Sequence, residues 1–114
     1  EPVVNYVATL ADDKAQTAYV ISGNAKQRTL TVRIVTAQQI GADKSLELWA
    51  IPKTGAPRSL GLVAANSTVT LALPADVTPD TVSALAVSLE PKGGSPNPNA
   101  PTGPVILKGA WVSV

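Results

Sequence analysis

Few residues in this 114-residue sequence could carry chemistry, because it contains no histidine and no cysteine. The commonest general base and metal ligand is therefore missing, as are thiol nucleophiles, disulfides and zinc–thiolate sites. Lys44–Ser45 and Arg58–Ser59 bring a hydroxyl beside a cation. Nothing in the sequence marks a buried lysine or an oxyanion hole beside them. We expect no enzyme, and hence no catalytic residue, cofactor or metal.

A glycine turn near Glu90 is the stretch closest to a binding motif. Lys92, Gly93 and Gly94 could hold a phosphate if a helix followed with its N-terminus facing the anion. The residues that follow are instead rich in proline, which lacks the amides that such a site uses. We predict a structural turn, in which Glu90 ends a buried strand and its carboxylate accepts backbone N–H groups of this turn.

Trp49 and Trp111 are the only indoles, and an exposed indole could form a carbohydrate platform. For Trp49 the apolar strand around it favours a core position, with its N–H bound to a backbone carbonyl. Trp111, close to the C-terminus, is left open between the two interpretations. Tyr6 and Tyr19 are predicted to pack with their hydroxyls at the rim of a sheet.

The overall composition indicates one small all-β domain spanning residues 1–114. Apolar residues make up 45% of the chain, with no Phe and no Met, and ten prolines and eight glycines interrupt it. The formal net charge is +1, which argues for no nucleic-acid partner. No apolar run is long enough to span a bilayer. Because the chain opens with Glu1–Pro2 and not Met, we expect a fragment of a longer protein or a mature form.

Strand candidates recur roughly every 8–12 residues, the spacing of a sandwich or barrel. The cleanest two-residue period places Leu30, Val32 and Ile34 on one face. Gly23–Asn24 is predicted as a tight turn, and Thr78–Pro79 could start one helical turn. We predict an antiparallel β-sandwich of seven or eight strands, Greek-key or immunoglobulin-like. The candidate strands are Val3–Leu10, Thr17–Ser22, Thr29–Thr36, Leu46–Ile51, Leu60–Ala64, Thr68–Leu73, Ala84–Glu90 and Pro104–Val112.

Two stretches are specific in sequence: LELWAIPKTGAPRSLG at residues 46–61, and LAVSLEPKGGSPNPNAPTGPVILKGAW at residues 85–111. Together they resemble the C-terminal domain of the anti-sigma-K factor family (RskA type). One difference is visible, since residues 97–100 look like an insertion in the second stretch. The resemblance implies a set of signature positions with a structural role: Leu48, Trp49, Gly55, Pro57, Leu60, Gly61, Glu90, Pro91, Gly93, Gly94, Pro101 and Gly103.

The resemblance implies a regulatory or sensor domain on the extracytoplasmic (periplasmic) side of a bacterial cell membrane. Full-length members look like single-pass proteins whose cytoplasmic segment binds an extracytoplasmic-function sigma factor, which regulated intramembrane proteolysis then releases. Both the sigma-binding segment and the transmembrane helix would lie outside this chain. An envelope protease or a signal protein is the partner expected for this domain itself. The alternative is a secreted ligand-binding module, carbohydrate-binding or adhesin-like, which the sequence upstream of Glu1 would distinguish.

Overall fold

The computed structural model describes residues 3–114, and these residues form nine β-strands and no helix. Three of the strands are longer than six residues, and two of these three begin the two specific stretches. The strands are β1 Tyr6–Ala11, β2 Thr17–Asn24, β3 Thr29–Ile34, β4 Lys44–Pro52, β5 Arg58–Val63, β6 Val69–Ala72, β7 Val82–Pro91, β8 Val105–Ala110 and β9 Val112–Ser113.

All the strand pairs are antiparallel, and they form one path in the order β5-β4-β7-β8-β1-β2-β3-β6, with the short β9 beside β1. The two ends of this path come into contact, because the Leu71 side chain of β6 lies against Gly61 of β5. The sheet therefore bends until its edges nearly meet, as a barrel-like sandwich. This confirms the predicted antiparallel β-sandwich.

One continuous apolar core fills the space inside this sheet. It is built from alternate residues of each strand, since successive side chains of a strand point to opposite faces. Leu30 and Val32 are fully buried and Ile34 is partly buried, as the two-residue period predicted. In β7, Ala84 to Ser88 are all buried, so both faces of this strand are covered and it is central, as expected.

One local prediction is wrong, because a distant contact decides the structure there. Gly23 and Asn24 lie inside β2, and the turn follows, ending at Arg28 with φ 57°. Gly23 packs against Trp111: a Cβ at this position would lie 2.9 Å from the indole Cη2. Thr78 does start a single turn, as expected: its carbonyl accepts the backbone N–H of Thr81 at 3.0 Å and of Val82 at 2.8 Å, and no helix follows.

Candidate functional site

The outer face of β4 is buried although it faces away from the core. Leu46, Leu48 and Ala50 point into the core. Glu47 and Trp49 alternate with them, yet they are only 7% and 0% exposed. β4 lies between β5 and β7, and the segment from residue 92 to residue 104, which we call the β7–β8 loop, folds over this face. The two specific stretches of the sequence are therefore in direct contact.

Trp49 is a core anchor of this face and not an exposed platform. It is fully buried, as predicted, but on the outer face of β4 and outside the main core cluster. Its Nε1 donates a hydrogen bond to Ser88 Oγ of β7 at 2.8 Å, so the prediction of a backbone carbonyl partner is wrong. A hydroxyl can accept this bond and still donate one of its own, so Ser88 links Trp49 to the neighbouring polar groups of β7.

Glu90 fixes one end of the β7–β8 loop. It is fully buried, and its Oε1 accepts hydrogen bonds from Thr102 Oγ1 at 2.6 Å and from the backbone N–H of Thr102 and Gly103 at 3.1 Å each. Burial raises the pKa of Glu90, but hydrogen bonds from Ser88, Thr102 and Gly103 outweigh this effect and hold the pKa below its ordinary value. The carboxylate is therefore kept ionised inside the fold.

Glu90 binds a glycine-containing turn, as predicted, but it is a different turn from the predicted one. Glu90 does end a buried strand and does bind a glycine-containing turn, but that turn contains Gly103 and not Gly93–Gly94. Gly103 passes so close to β7 that a Cβ there would lie 1.7 Å from the carbonyl oxygen of Leu89. Only glycine allows this approach.

Glu47 holds the Gly93–Gly94 turn, a role that the sequence analysis missed. Its Oε1 accepts the backbone N–H of Ser95 at 2.6 Å, and its other oxygen accepts the hydroxyl of Ser59 on β5. Gly93 and Gly94 have φ values of 95° and 109°, in the left-handed region that glycine favours. The sequence did carry a signal for this role, since Glu47 is a charged residue within an apolar strand. A buried carboxylate needs hydrogen-bond partners.

The signature positions fall into three groups in space: the middle of β4 with the facing part of β5, the β4–β5 turn, and the end of β7 with its loop. Leu48 and Trp49 pair with Val87 and Ala86 in the middle of β7. Gly55 and Pro57 lie in the β4–β5 turn, after the end of β4 where Pro52 pairs with Val82. Leu60 and Gly61 follow in β5, at a bulge opposite Leu48 and Trp49. Pro91, Gly93, Gly94, Pro101 and Gly103 belong to the end of β7 and to its loop.

The other aromatic residues are structural as well. Trp111 is 2% exposed, stacks at a tilt on Tyr6 with 5.4 Å between ring centroids, and donates its Nε1 to the carbonyl of Val77 at 3.3 Å. Tyr19 is fully buried, and its hydroxyl donates to the carbonyl of Ala64, just after β5, at 3.0 Å. Burial raises the pKa of Tyr19 to about 12. Neither indole offers a stacking face for a sugar.

The remaining reactive groups are spread over the surface. Arg58 forms an ion pair with Asp76 at 2.7 Å, and Ser45 Oγ accepts the backbone N–H of Gly93 at 2.9 Å. Asp12 Oδ1 accepts two backbone N–H groups of its own turn. Within residues 3–114, no three acidic side chains come together in a way that could hold a metal ion. These groups therefore stabilise turns, the β7–β8 loop and the surface of the fold.

Comparison with known families gives the class of the protein. A family model described as "Anti-sigma-K factor rskA, C-terminal" matches residues 1–105. The chain therefore belongs to this family, and the resemblance in the two specific stretches is confirmed. The family is regulatory and non-enzymatic, its members are anti-sigma factors with a sigma factor as partner, and RskA-type members are membrane-associated. No curated protein and no solved structure matches the chain.

The matched segment includes the whole first specific stretch and the second as far as Val105, the first residue of β8. The structure adds what lies beyond it, since residues 106–114 complete β8, place Trp111 in the core and form β9. Within residues 3–114, no helix has the length and apolar character needed to cross a membrane.

Proposed function

We propose that this chain is the extracytoplasmic regulatory domain of a single-pass membrane anti-sigma factor and controls the proteolysis that releases an extracytoplasmic-function sigma factor. The observation that carries the proposal is the family match over residues 1–105. In this proposal residues 1–114 act as one folded domain. The sigma factor binds a cytoplasmic segment outside this chain, and a membrane helix outside this chain connects the two.

The segment that enters the fold supports a protective role. Asn5 precedes β1 and is held on both sides: its N–H donates to Gly23 O at 2.8 Å, and its carbonyl accepts the N–H of Val114 at 2.9 Å. A protease needs several residues of extended, unpaired backbone, which a folded sheet does not offer without opening. Opening of this region would therefore expose the entering segment to a first cleavage.

The pinned β7–β8 loop supports the same role. It is the longest connection between strands, and long loops are preferred sites of proteolytic nicking. Glu47 and Glu90, both buried, hold it at two points. Cleavage in this loop is thus coupled to the stability of the sheet beneath it, and a signal that destabilises the fold would raise the rate of cleavage.

The proposal is tested in the full-length membrane protein, with a sigma-dependent reporter and an immunoblot of the anti-sigma factor. Leu48→Ala removes a fully buried side chain and should cost about 2–5 kcal/mol, a large part of the stability of a small domain. We expect faster cleavage and a higher reporter signal. Val35→Ala, at a 59% exposed position, is the matched control. Unchanged cleavage in Leu48→Ala, with unfolding confirmed on the isolated domain, would refute the protective role.

The alternative of a secreted carbohydrate-binding module has less support, because both indoles are buried. Sugar platforms use exposed aromatic rings, and the remaining rings are Tyr6 and Tyr19, of which Tyr19 is fully buried.

A further inference from the structure

A groove of about 620 Å³ lies where β1 ends and β8 continues. The two strands share one residue pair, Ala11 with Lys108. From Asp12 the chain turns away, its N–H donating to Gln16 O at 3.1 Å. Within residues 3–114, the edge of β8 before Lys108 therefore has no strand beside it on this side. We call this site the edge groove; its lining consists of Ala11–Asp13, Gln38–Ile40, Leu89 and Val105–Lys108.

The edge groove has an apolar floor and acidic residues on one wall. Ile40 and Ile106 pack against the core and are partly buried, while Val105 is 48% exposed. Asp12 and Asp13 lie together on the wall where β1 ends. The one cation of the lining, Lys108, pairs with Ala11, the residue before these aspartates, so the lining has two acidic groups and one basic group.

A strand edge without a neighbour recognises an extended peptide, because the main chain of the peptide can continue the ladder while alternate side chains enter the groove. The two carboxylates favour a positively charged side chain at one position of that peptide. We propose that the edge groove binds an extended segment of a partner protein by strand addition to β8. The segment has apolar residues at alternate positions and a lysine or arginine facing Asp12 and Asp13.

The edge groove lies away from the point where the chain enters the fold, so a partner can reach it from solution. β1 begins at Tyr6, beside Ser113, and ends at Ala11, beside Lys108. The residues that precede β1 and the end of the chain therefore lie at one end of the strand, and the edge groove lies at the other. This inference goes beyond the proposed function, since peptide binding is measured on the chain itself and does not require sigma factor or proteolysis.

The test is a titration of the isotopically labelled 114-residue chain with two model peptides, followed by the NMR shifts of its backbone amides. The first peptide is acetyl-TVKVTV-amide, and the second, acetyl-TVEVTV-amide, differs only in the charge of one side chain. We expect saturable shifts at the amides of Gln38–Ile40 and Val105–Lys108. The lysine peptide should bind about fivefold more tightly, the effect of one partly exposed charge pair.

Two variants with matched controls locate the binding site. Val105→Arg places a cation and a longer side chain on the floor and should weaken binding of the lysine peptide, whereas Val35→Arg, at another exposed valine, should not. Asp13→Asn should remove the preference for lysine, whereas Asp80→Asn, at an exposed aspartate of a different loop, should preserve it.

Three results would overturn the proposal. One is the absence of saturable shifts with either peptide, and the second is a set of shifts outside the edge groove that Val105→Arg leaves unchanged. The third is a concentration-dependent dimer of the chain, detected by analytical ultracentrifugation and abolished by Val105→Arg, because the occupant would then be a second copy.

Discussion

Gly103 donates its backbone N–H to both carboxylate oxygens of Glu90, 13 residues earlier in the chain, at 3.1 and 3.2 Å. Glu90 lies just before the β7–β8 loop and Gly103 near its end, so this contact closes the loop at its base. Glu90 and Gly103 are both signature positions of the family resemblance. We propose that the family pattern includes them because the structure of the loop depends on this contact.

Glu90→Gln should destabilise the domain by about 1–3 kcal/mol. The amide keeps the shape of the side chain but has one acceptor oxygen in place of two, and it loses the charge that strengthens these hydrogen bonds. Urea denaturation followed by tryptophan fluorescence measures the change. Asp80→Asn, which makes the same chemical change at an exposed position, should change the midpoint little. Equal effects of the two variants would show that the Glu90 carboxylate has no special role.

The stability of the domain should fall as the pH is lowered into the acidic range. The pKa of Glu90 in the fold is below the ordinary value of 4.5, so folding favours the ionised form. This contribution is complete above pH 4.5 and is lost as the pH falls through the lower pKa of the folded state. Unfolding midpoints measured between about pH 2 and pH 7 test this, and Glu90→Gln should flatten the profile. A profile that is identical in the variant would contradict it.

Stability should also fall at high pH, with Tyr19 as the cause. Its pKa is raised to about 12 from 10.0, so folding favours the neutral hydroxyl. The contribution of Tyr19 is complete below pH 10 and decreases as the pH rises towards 12. Ultraviolet absorbance follows the ionisation of tyrosine, whose ordinary pKa is about 10. Tyr19→Phe should reduce the alkaline loss of stability, and an unchanged alkaline transition would assign that loss to another group.

Gly103→Ala should be among the most damaging single changes in the chain, at about 3 kcal/mol or more. The added Cβ would lie 1.7 Å from the carbonyl oxygen of Leu89, so the backbone must move and release the Glu90 contacts. Gly55→Ala is the matched control, because its φ of 96° imposes strain in open space, at a cost of about 1–2 kcal/mol. Thermal unfolding distinguishes the two, and equal losses would show that conformational freedom and not the close approach matters at Gly103.

The strands could be predicted from the sequence because they depend on local alternation. The pattern of Leu30, Val32 and Ile34 needs only the pleat of one strand. The apolar run of β7, buried on both faces, likewise predicted a central strand. The order of the strands, by contrast, depends on pairing between distant segments, which periodicity does not encode.

The contacts of the candidate site could not be predicted for the same reason. Glu47 and the backbone N–H of Ser95 are 48 residues apart, and no spacing rule joins them. Gly23–Asn24 has the composition of a turn, but the ring of Trp111, at the other end of the chain, occupies the space beside Gly23. The composition of Gly23–Asn24 therefore predicted a turn at a place where the structure has a strand.

The central position of β1 has a mechanical consequence. The segment that ends at Asn5 continues directly into β1, which is paired along its length with β2 and at its two ends with β9 and β8. Tension applied through the entering segment acts along the strand axis, while the ladder hydrogen bonds run perpendicular to it. The bonds to β2 are then loaded together in shear and do not open one after another. The domain should thus resist a pull through its N-terminal side far better than a pull that peels β6 from the edge of the sheet.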